Sequence, residues 1–421
     1  MRFFNIWHNG KGVVIKMKIA MMTNNYKPFL AGVPISIERL AEGLKALGHQ
    51  VVVFAPSYDD QQQEEDVVRY GSLLRGIAGG ASLPNSLDPR IERSFREGNF
   101  DVIHVHHPMM IGSTACFLSW KYQVPLVFTY HTRYEQYLHY IGMPGLKKAM
   151  PMYLRHRLKN CSLVIAPTPH IGEYLENIGI SAPIRVLPTG ILGDSFKPDV
   201  EAAMKLRKSL SGGREHLFCT VARLAKEKNL EFLLESLWFY KQAAGSNFKL
   251  VLIGDGPYRS TLVRRAKELG LSEEIIFAGK VPNEEIKNYC GASELFLFTS
   301  RSETQGIVLL EAMAAGTPVL ALEATGTEDI VRNGVNGYMT QMSGEEKTER
   351  RAAQQAFAWK LMDILEKKEL DILRQGAVDT ARGYECSHIA RKAEEYYQAV
   401  LWEYQKRNDN LHRNQMVDMV Y

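Results

Sequence analysis

No run of this 421-residue chain stays apolar for the length of a membrane span, and Glu311 breaks the longest apolar region. Cysteine is scarce. Cys116, Cys161, Cys219, Cys290 and Cys386 are widely spaced with no CxxC pair, which argues against a disulfide framework or a zinc site and fits a reducing, cytoplasmic setting. A Walker loop and a dinucleotide GxGxxG are both missing, as are internal repeats. The opening residues, MRFFNIWHNGKGVVIK, lack the apolar core of a signal peptide. Met17 leads straight into strand-like sequence, so residues 1–16 are expected to be a dispensable extension. The net charge of +4 is too small for a nucleic-acid binder. Its distribution says more: residues 1–199 hold 21 Lys/Arg against 16 Asp/Glu, and residues 200–421 hold 30 against 31. Any anionic surface is expected to meet the first half.

What the chain does contain is apolar runs alternating with helical periodicity, twice over. Strands are expected at 18–22, 50–54, 101–105, 126–129 and 163–166, with a helix over 36–47 ending at Gly48. Residues 183–198, rich in Pro and Gly, read as a linker. Strands resume at 217–221, 249–253, 275–278, 295–299 and 319–322, and a helix over 387–404 precedes a polar tail expected to be loose. This alternation, over a length that suits two cores, predicts an α/β protein of two doubly wound parallel-sheet domains. The expected division is 17–190, 191–385 and a C-terminal helix and tail over 386–421. Ligands in such sheets sit beyond the C-terminal strand ends.

The richest segment, RSETQGIVLLEAMAAGTPV (301–319), holds two acids, Glu303 and Glu311, around a helix start at Gly306. A helix N-terminus with free N–H groups suits phosphate, and flanking carboxylates suit sugar hydroxyls. Alone, the segment also reads as an ordinary amphipathic helix with two exposed acids. Arg223 and Lys228 follow the first strand of the second half, where two cations could embrace a diphosphate. IGDGP (253–257) is a glycine turn, and AGKVP (278–282) offers bare backbone to a flat base. Gly32 lets backbone approach a phosphate. HVHHP (104–108) has no acidic partners nearby, so a metal site is not expected. His106 or His107 lining the acceptor side is the reading preferred.

In this order, the Gly32 loop, Arg223 with Lys228, and ETQGIVLLEAMAAGTPV make residues 17 to about 405 resemble the retaining family-4 glycosyltransferases of the GT-B fold. The resemblance implies two Rossmann-like domains facing across a cleft. It implies that Arg223 and Lys228 hold the donor diphosphate, that Glu303 binds sugar hydroxyls and Glu311 the ribose, and that the N–H groups of Gly306, Ile307 and Val308 meet sugar and phosphate. The Val281 backbone would read the base, uracil, and His131 of TYHT would sit beside the transferred sugar. FTYHTRYEQYLHYIG (128–142) and Gln305 are similar to the bacterial diacylglycerol glucosyltransferases, and Tyr134 falls on the acceptor side with His106 and His107. The implied activity is retaining transfer of a hexose, glucose, from a UDP-sugar to a lipid hydroxyl such as that of diacylglycerol. No cofactor or metal is implied. A soluble or polysaccharide acceptor, and a non-catalytic sugar-nucleotide sensor, are the alternatives. The basic, apolar stretch LKKAMPMYLRHRLKN (146–160) reads equally as a peripheral membrane contact on the inner face of the cell membrane and as a solvated helix with one core-facing side. One departure stands out: PTGILGDSF (188–196) has Leu192 where the family carries an Asp.

Overall fold

The computed structural model describes residues 16–29, 31–59, 64–77, 81–133, 148–344, 346–367 and 369–418. Two parallel sheets organise it. The first runs β3(Val67–Tyr70), β2(Gln50–Pro56), β1(Lys18–Met22), β6(Val102–Val105), β7(Leu126–Thr129), β8(Leu163–Ala166), β9(Ile184–Val186). The second runs β12(Ile275–Gly279), β11(Phe248–Ile253), β10(His216–Val221), β13(Leu295–Phe298), β14(Val319–Leu322), β15(Gly337–Thr340). An antiparallel hairpin, β4(Ser72–Ile77) and β5(Ala81–Pro84), stands apart. The central strands read VIHV, LVFT, LVIA, LFLF and VLAL and are buried at every position. Helices on both faces of a parallel sheet require such uninterrupted apolar strands.

Three expectations are corrected, and four strands are added that the sequence did not mark. The first helix is Gly32–Ala46 rather than 36–47. Pro34 lies in its first turn, where the missing N–H has no helical acceptor to lose. The linker is shorter than 183–198, because Ile184–Val186 adds a strand at the sheet edge, pairing Val164 with Ile184. Edge position tolerates the flanking prolines. The hairpin and the strands β3 and β15 had no apolar run long enough to mark them. Finally, the tail is not loose from residue 405: the last helix is Cys386–Asp418, and its sequence carries no Gly or Pro to end it sooner.

That last helix returns to the first domain. Ile389, Ala393, Tyr397 and Val400 join Ile19, Met21, Ile37, Leu44 and Val51 in one core cluster. Burying side chains of this size contributes about 1.5–3 kcal/mol each, so the helix is fixed to the N-terminal sheet. The Tyr397 hydroxyl lies 2.6 Å from His104 Nδ1, and His104 Nε2 lies 2.6 Å from Thr129 Oγ1. This explains a histidine in the middle of a core strand: both ring nitrogens are satisfied.

Candidate active site

In the second sheet β10 and β13 are neighbours, but the chain leaves them in opposite directions, toward β11 and β14. The crevice beyond this switch point is lined by the loops 222–229 and 299–306, the place where doubly wound sheets take ligands. The two loops are tied together: Asn229 Nδ2 donates to the Thr299 carbonyl (3.2 Å), and Thr299 Oγ1 donates to the Asn229 carbonyl (3.1 Å). Across this junction Lys228 Nζ donates to Glu303 Oε1, which also accepts from Ser300 Oγ at 3.2 Å. Lys228 and Glu303, assigned separately from sequence, are therefore one ion pair.

Arg223 sits on the same loop with its side chain 62% exposed, and Nη2 meets Glu227 Oε1. Its backbone is set by the IGDGP turn. Ala222 N–H donates to the Ile253 carbonyl (3.0 Å) and Leu224 N–H to the Asp255 carbonyl (3.0 Å). Gly254 is required there: its φ is +127°, and a Cβ would fall 2.0 Å from the Ala222 oxygen. Gly306, with φ +73°, turns the other loop into the helix Ile307–Ala314. The N–H groups of this first turn have no intrahelical acceptors, so Ile307 and Val308 present donors and the positive helix end to the crevice. Leu309, Leu310, Ala312, Met313 and Ala314 bury the opposite side, and Glu311 stays half-buried one turn in. Its Oε1 lies 2.5 Å from Arg39 Nη2, a residue of the first domain. Val281 is half-buried, and its peptide groups take no backbone hydrogen bond among the described residues. Gly32 opens the first helix, and a Cβ there would meet nothing within 4 Å.

The first sheet has its own switch point between β1 and β6. Here the histidines gather. His106 Nδ1 and His131 Nε2 are 2.9 Å apart, and the His106 ring stacks between His104 (4.2 Å) and His131 (5.1 Å). His107 Nδ1 accepts the Asn24 N–H at 3.2 Å, fixing the loop after β1. His106 and His107 were expected on the acceptor side. Both are buried, because one packs against His131 and the other serves backbone. His106 Nε2 finds no partner among the described residues. Burial lowers all four basicities, His107 to about 4 and His104 to about 3; for His106 and His131 the neighbouring imidazoles lower them further. His131 keeps a partly accessible edge, and its carbonyl accepts Thr304 Oγ1 at 2.8 Å. That bond ties the His131 backbone to the residue after Glu303, across the two domains. Tyr134 lies outside the described residues.

Two contacts went unread in the sequence. Arg39, and Gln305 in the role it plays, both act on the linker. Gln305 Oε1 accepts the Thr189 N–H (2.7 Å), and its Nε2 donates to the Thr189 carbonyl (3.0 Å), as a strand partner would. Arg39 shares a helix face with Ser36, whose Oγ accepts from Thr189 Oγ1 at 2.9 Å. The small and polar stripe Ser36, Arg39, Gly43 beside the apolar stripe Ile37, Ala41, Leu44 was the available signal. Asp194, near the unusual Leu192, pairs with Lys287 Nζ.

Comparison with known proteins agrees with this geometry. A family model described as Glycosyltransferase Family 4 matches residues 30–191, and one described as Glycosyl transferases group 1 matches residues 204–375. The chain is 30% identical over 346 residues to an alpha-monoglucosyldiacylglycerol synthase of Acholeplasma laidlawii, covering 78% of this chain and 86% of that one. It is 31% identical over 314 residues to the Streptococcus pneumoniae protein of the same name, covering 72% and 71%. In fold it is similar to Anabaena Alr3699/HepE solved with UDP, with TM-score 0.73 at 21% identity over 91% of this chain and all of that one (100%).

Proposed function

We propose that this chain, which belongs to the family-4 glycosyltransferases of the GT-B fold, transfers glucose from UDP-glucose to the hydroxyl of a membrane lipid such as diacylglycerol. The observation that carries the donor half is the Lys228–Glu303 pair at the switch point, beside the open helix end at Gly306. Lys228, Arg223 and the N–H groups of Gly306, Ile307 and Val308 meet the diphosphate. Glu303 takes sugar hydroxyls, Glu311 the ribose, and Val281 the base. Each acid is already held by a cation, Glu303 by Lys228 and Glu311 by Arg39, which suits binding rather than an acid–base pair of the glycosidase kind.

The chemistry is then a same-face substitution. The bond from the anomeric carbon to the β-phosphate oxygen breaks, and the acceptor oxygen bonds to that carbon on the face the diphosphate leaves. The acceptor proton passes to the departing phosphate. Configuration is retained, and rate comes from positioning and from charge stabilisation by Lys228, Arg223 and the helix end. Those cations answer the diphosphate charge, so the reading assigns no metal, and activity is expected to persist in chelator. His131, neutral because burial lowers its basicity, lies against the sugar as a hydrogen-bonding wall.

For the acceptor half, the helix Met150–Leu158 buries Met150, Leu154 and Leu158 and exposes Met152 (63%), Arg155 and His156. Arg157 Nη2 donates to Ser113 Oγ (2.6 Å) on the helix Ile111–Tyr122, whose Phe117 and Trp120 (72% exposed) share that face at helical spacing. Cationic and aromatic side chains on adjoining helices suit an anionic membrane surface. No helix of the described residues is long and apolar enough to cross a membrane.

Folded Lys228→Ala and Glu303→Ala are each expected to lose about 10²-fold or more in kcat/KM, the scale for removing a group that answers developing charge. Wild-type rates in both variants would contradict the donor assignment. Failure of the protein to float with anionic vesicles would contradict the lipid acceptor.

A further inference from the structure

The carboxylate assigned above to the ribose is gripped from the other domain. Arg39, in the helix Gly32–Ala46, is only 10% exposed at its side chain. Its guanidinium is forked: Nη1 donates to the Gly190 carbonyl at 3.0 Å and Nη2 to Glu311 Oε1 at 2.5 Å. With an acceptor at each terminal nitrogen, the orientation of the fork is constrained from two sides. Gly190 follows Thr189, which Gln305 clasps on the donor loop. Arg39 thus joins the first helix, the linker and the donor helix, and Gln305 ties the donor loop to the same linker.

We propose that Arg39 is a positioning residue for nucleotide selectivity. By holding Glu311 Oε1 it fixes the carboxylate and leaves Oε2, which has no hydrogen bond among the described residues, as the acceptor for a ribose hydroxyl. Preference for ribo- over deoxyribonucleotides is then set jointly by Glu311 and by a side chain of the N-terminal domain. This rests on the reading of Glu311 as the ribose-binding acid. A cation serving stability alone would leave that preference untouched in the folded protein.

The test is calorimetric binding of UDP, 2′-deoxy-UDP and 3′-deoxy-UDP, with the GDP series run in parallel, to the full chain and three variants. Glu311→Gln is expected to reduce the ribo-to-deoxy affinity ratio by about tenfold or more, the scale of one charge-assisted hydrogen bond. Arg39→Met is expected to reduce the same ratio to a similar degree. Arg39→Lys, which keeps the charge but cannot fork, is expected to fall between, and it carries the test if Arg39→Met does not fold. A wild-type ratio in the folded Arg39 variants, with a collapsed ratio in Glu311→Gln, overturns this inference and leaves the donor reading intact. An unchanged ratio in Glu311→Gln, or no binding of either nucleotide series, overturns the donor reading and the inference with it.

Discussion

Four histidines, His104, His106, His107 and His131, are packed where an imidazolium loses its hydration, and each binds a proton more weakly folded than free. The unfolded chain therefore takes up protons first as pH falls through the ordinary histidine value of 6.5. Their contribution to stability is complete above that value and is lost as pH falls toward the folded values, about 4 for His107 and about 3 for His104. In that window each costs about 1.4 kcal/mol per pH unit. Urea midpoints are expected to drop steeply from about pH 7 to about pH 5, and His107→Gln is expected to flatten the profile by one proton. A profile that stays level to about pH 5 would contradict the burial described. At this scale the sequence was half legible. Glu303, Lys228 and His131 stood out because the motifs carrying them are local. Arg39, and the linker contact of Gln305, did not, because each acts on a partner more than a hundred positions away, Glu311 at 272 and Thr189 at 116. Polar contacts of that range leave no periodicity along the chain.

Among the elements, the loop after β11 serves as a bed for the loop after β10. Gly254→Ala places a Cβ 2.0 Å from the Ala222 oxygen at φ +127°, so the bed must move. The expected cost is about 3 kcal/mol or more in chemical denaturation, with loss of transferase rate because Arg223 moves too. Gly270→Ala, at φ +68° with nothing within 4 Å, bears only the backbone strain and is expected to cost about 1–2 kcal/mol. Equal losses in the two variants would show that the close approach is unimportant. Interior strands were readable because burial on both faces leaves an apolar run, as in LVIA and VLAL. The edge strands β3 and β15 bury only part of their length and β9 has no fully buried residue, so the same signal was weak. The helix start at Gly32 was hidden by Pro34, which punctuates a loop and opens a helix equally well.

Across the whole molecule, the chain passes once from the first sheet to the second and once back. The return helix places Tyr397 against His104 at the base of the histidine stack. Thr304 to His131, Gln305 to Thr189 and Arg39 to Glu311 cross between the donor side and the rest of the molecule. Among the described residues these three bonds converge on the segment 303–311, while His170 links the domains again at Glu328 and Asp329, and transfer from one substrate to the other is what such an arrangement can do. The most direct test offers the purified chain UDP-glucose, UDP-galactose and GDP-mannose against diacylglycerol in anionic vesicles and against soluble sugars. Products are identified by mass spectrometry, and the anomeric configuration of the new bond by NMR. An α-glucoside of diacylglycerol from UDP-glucose is the expected product. A β-linked product, or transfer confined to soluble sugars, would contradict retaining transfer to a lipid hydroxyl.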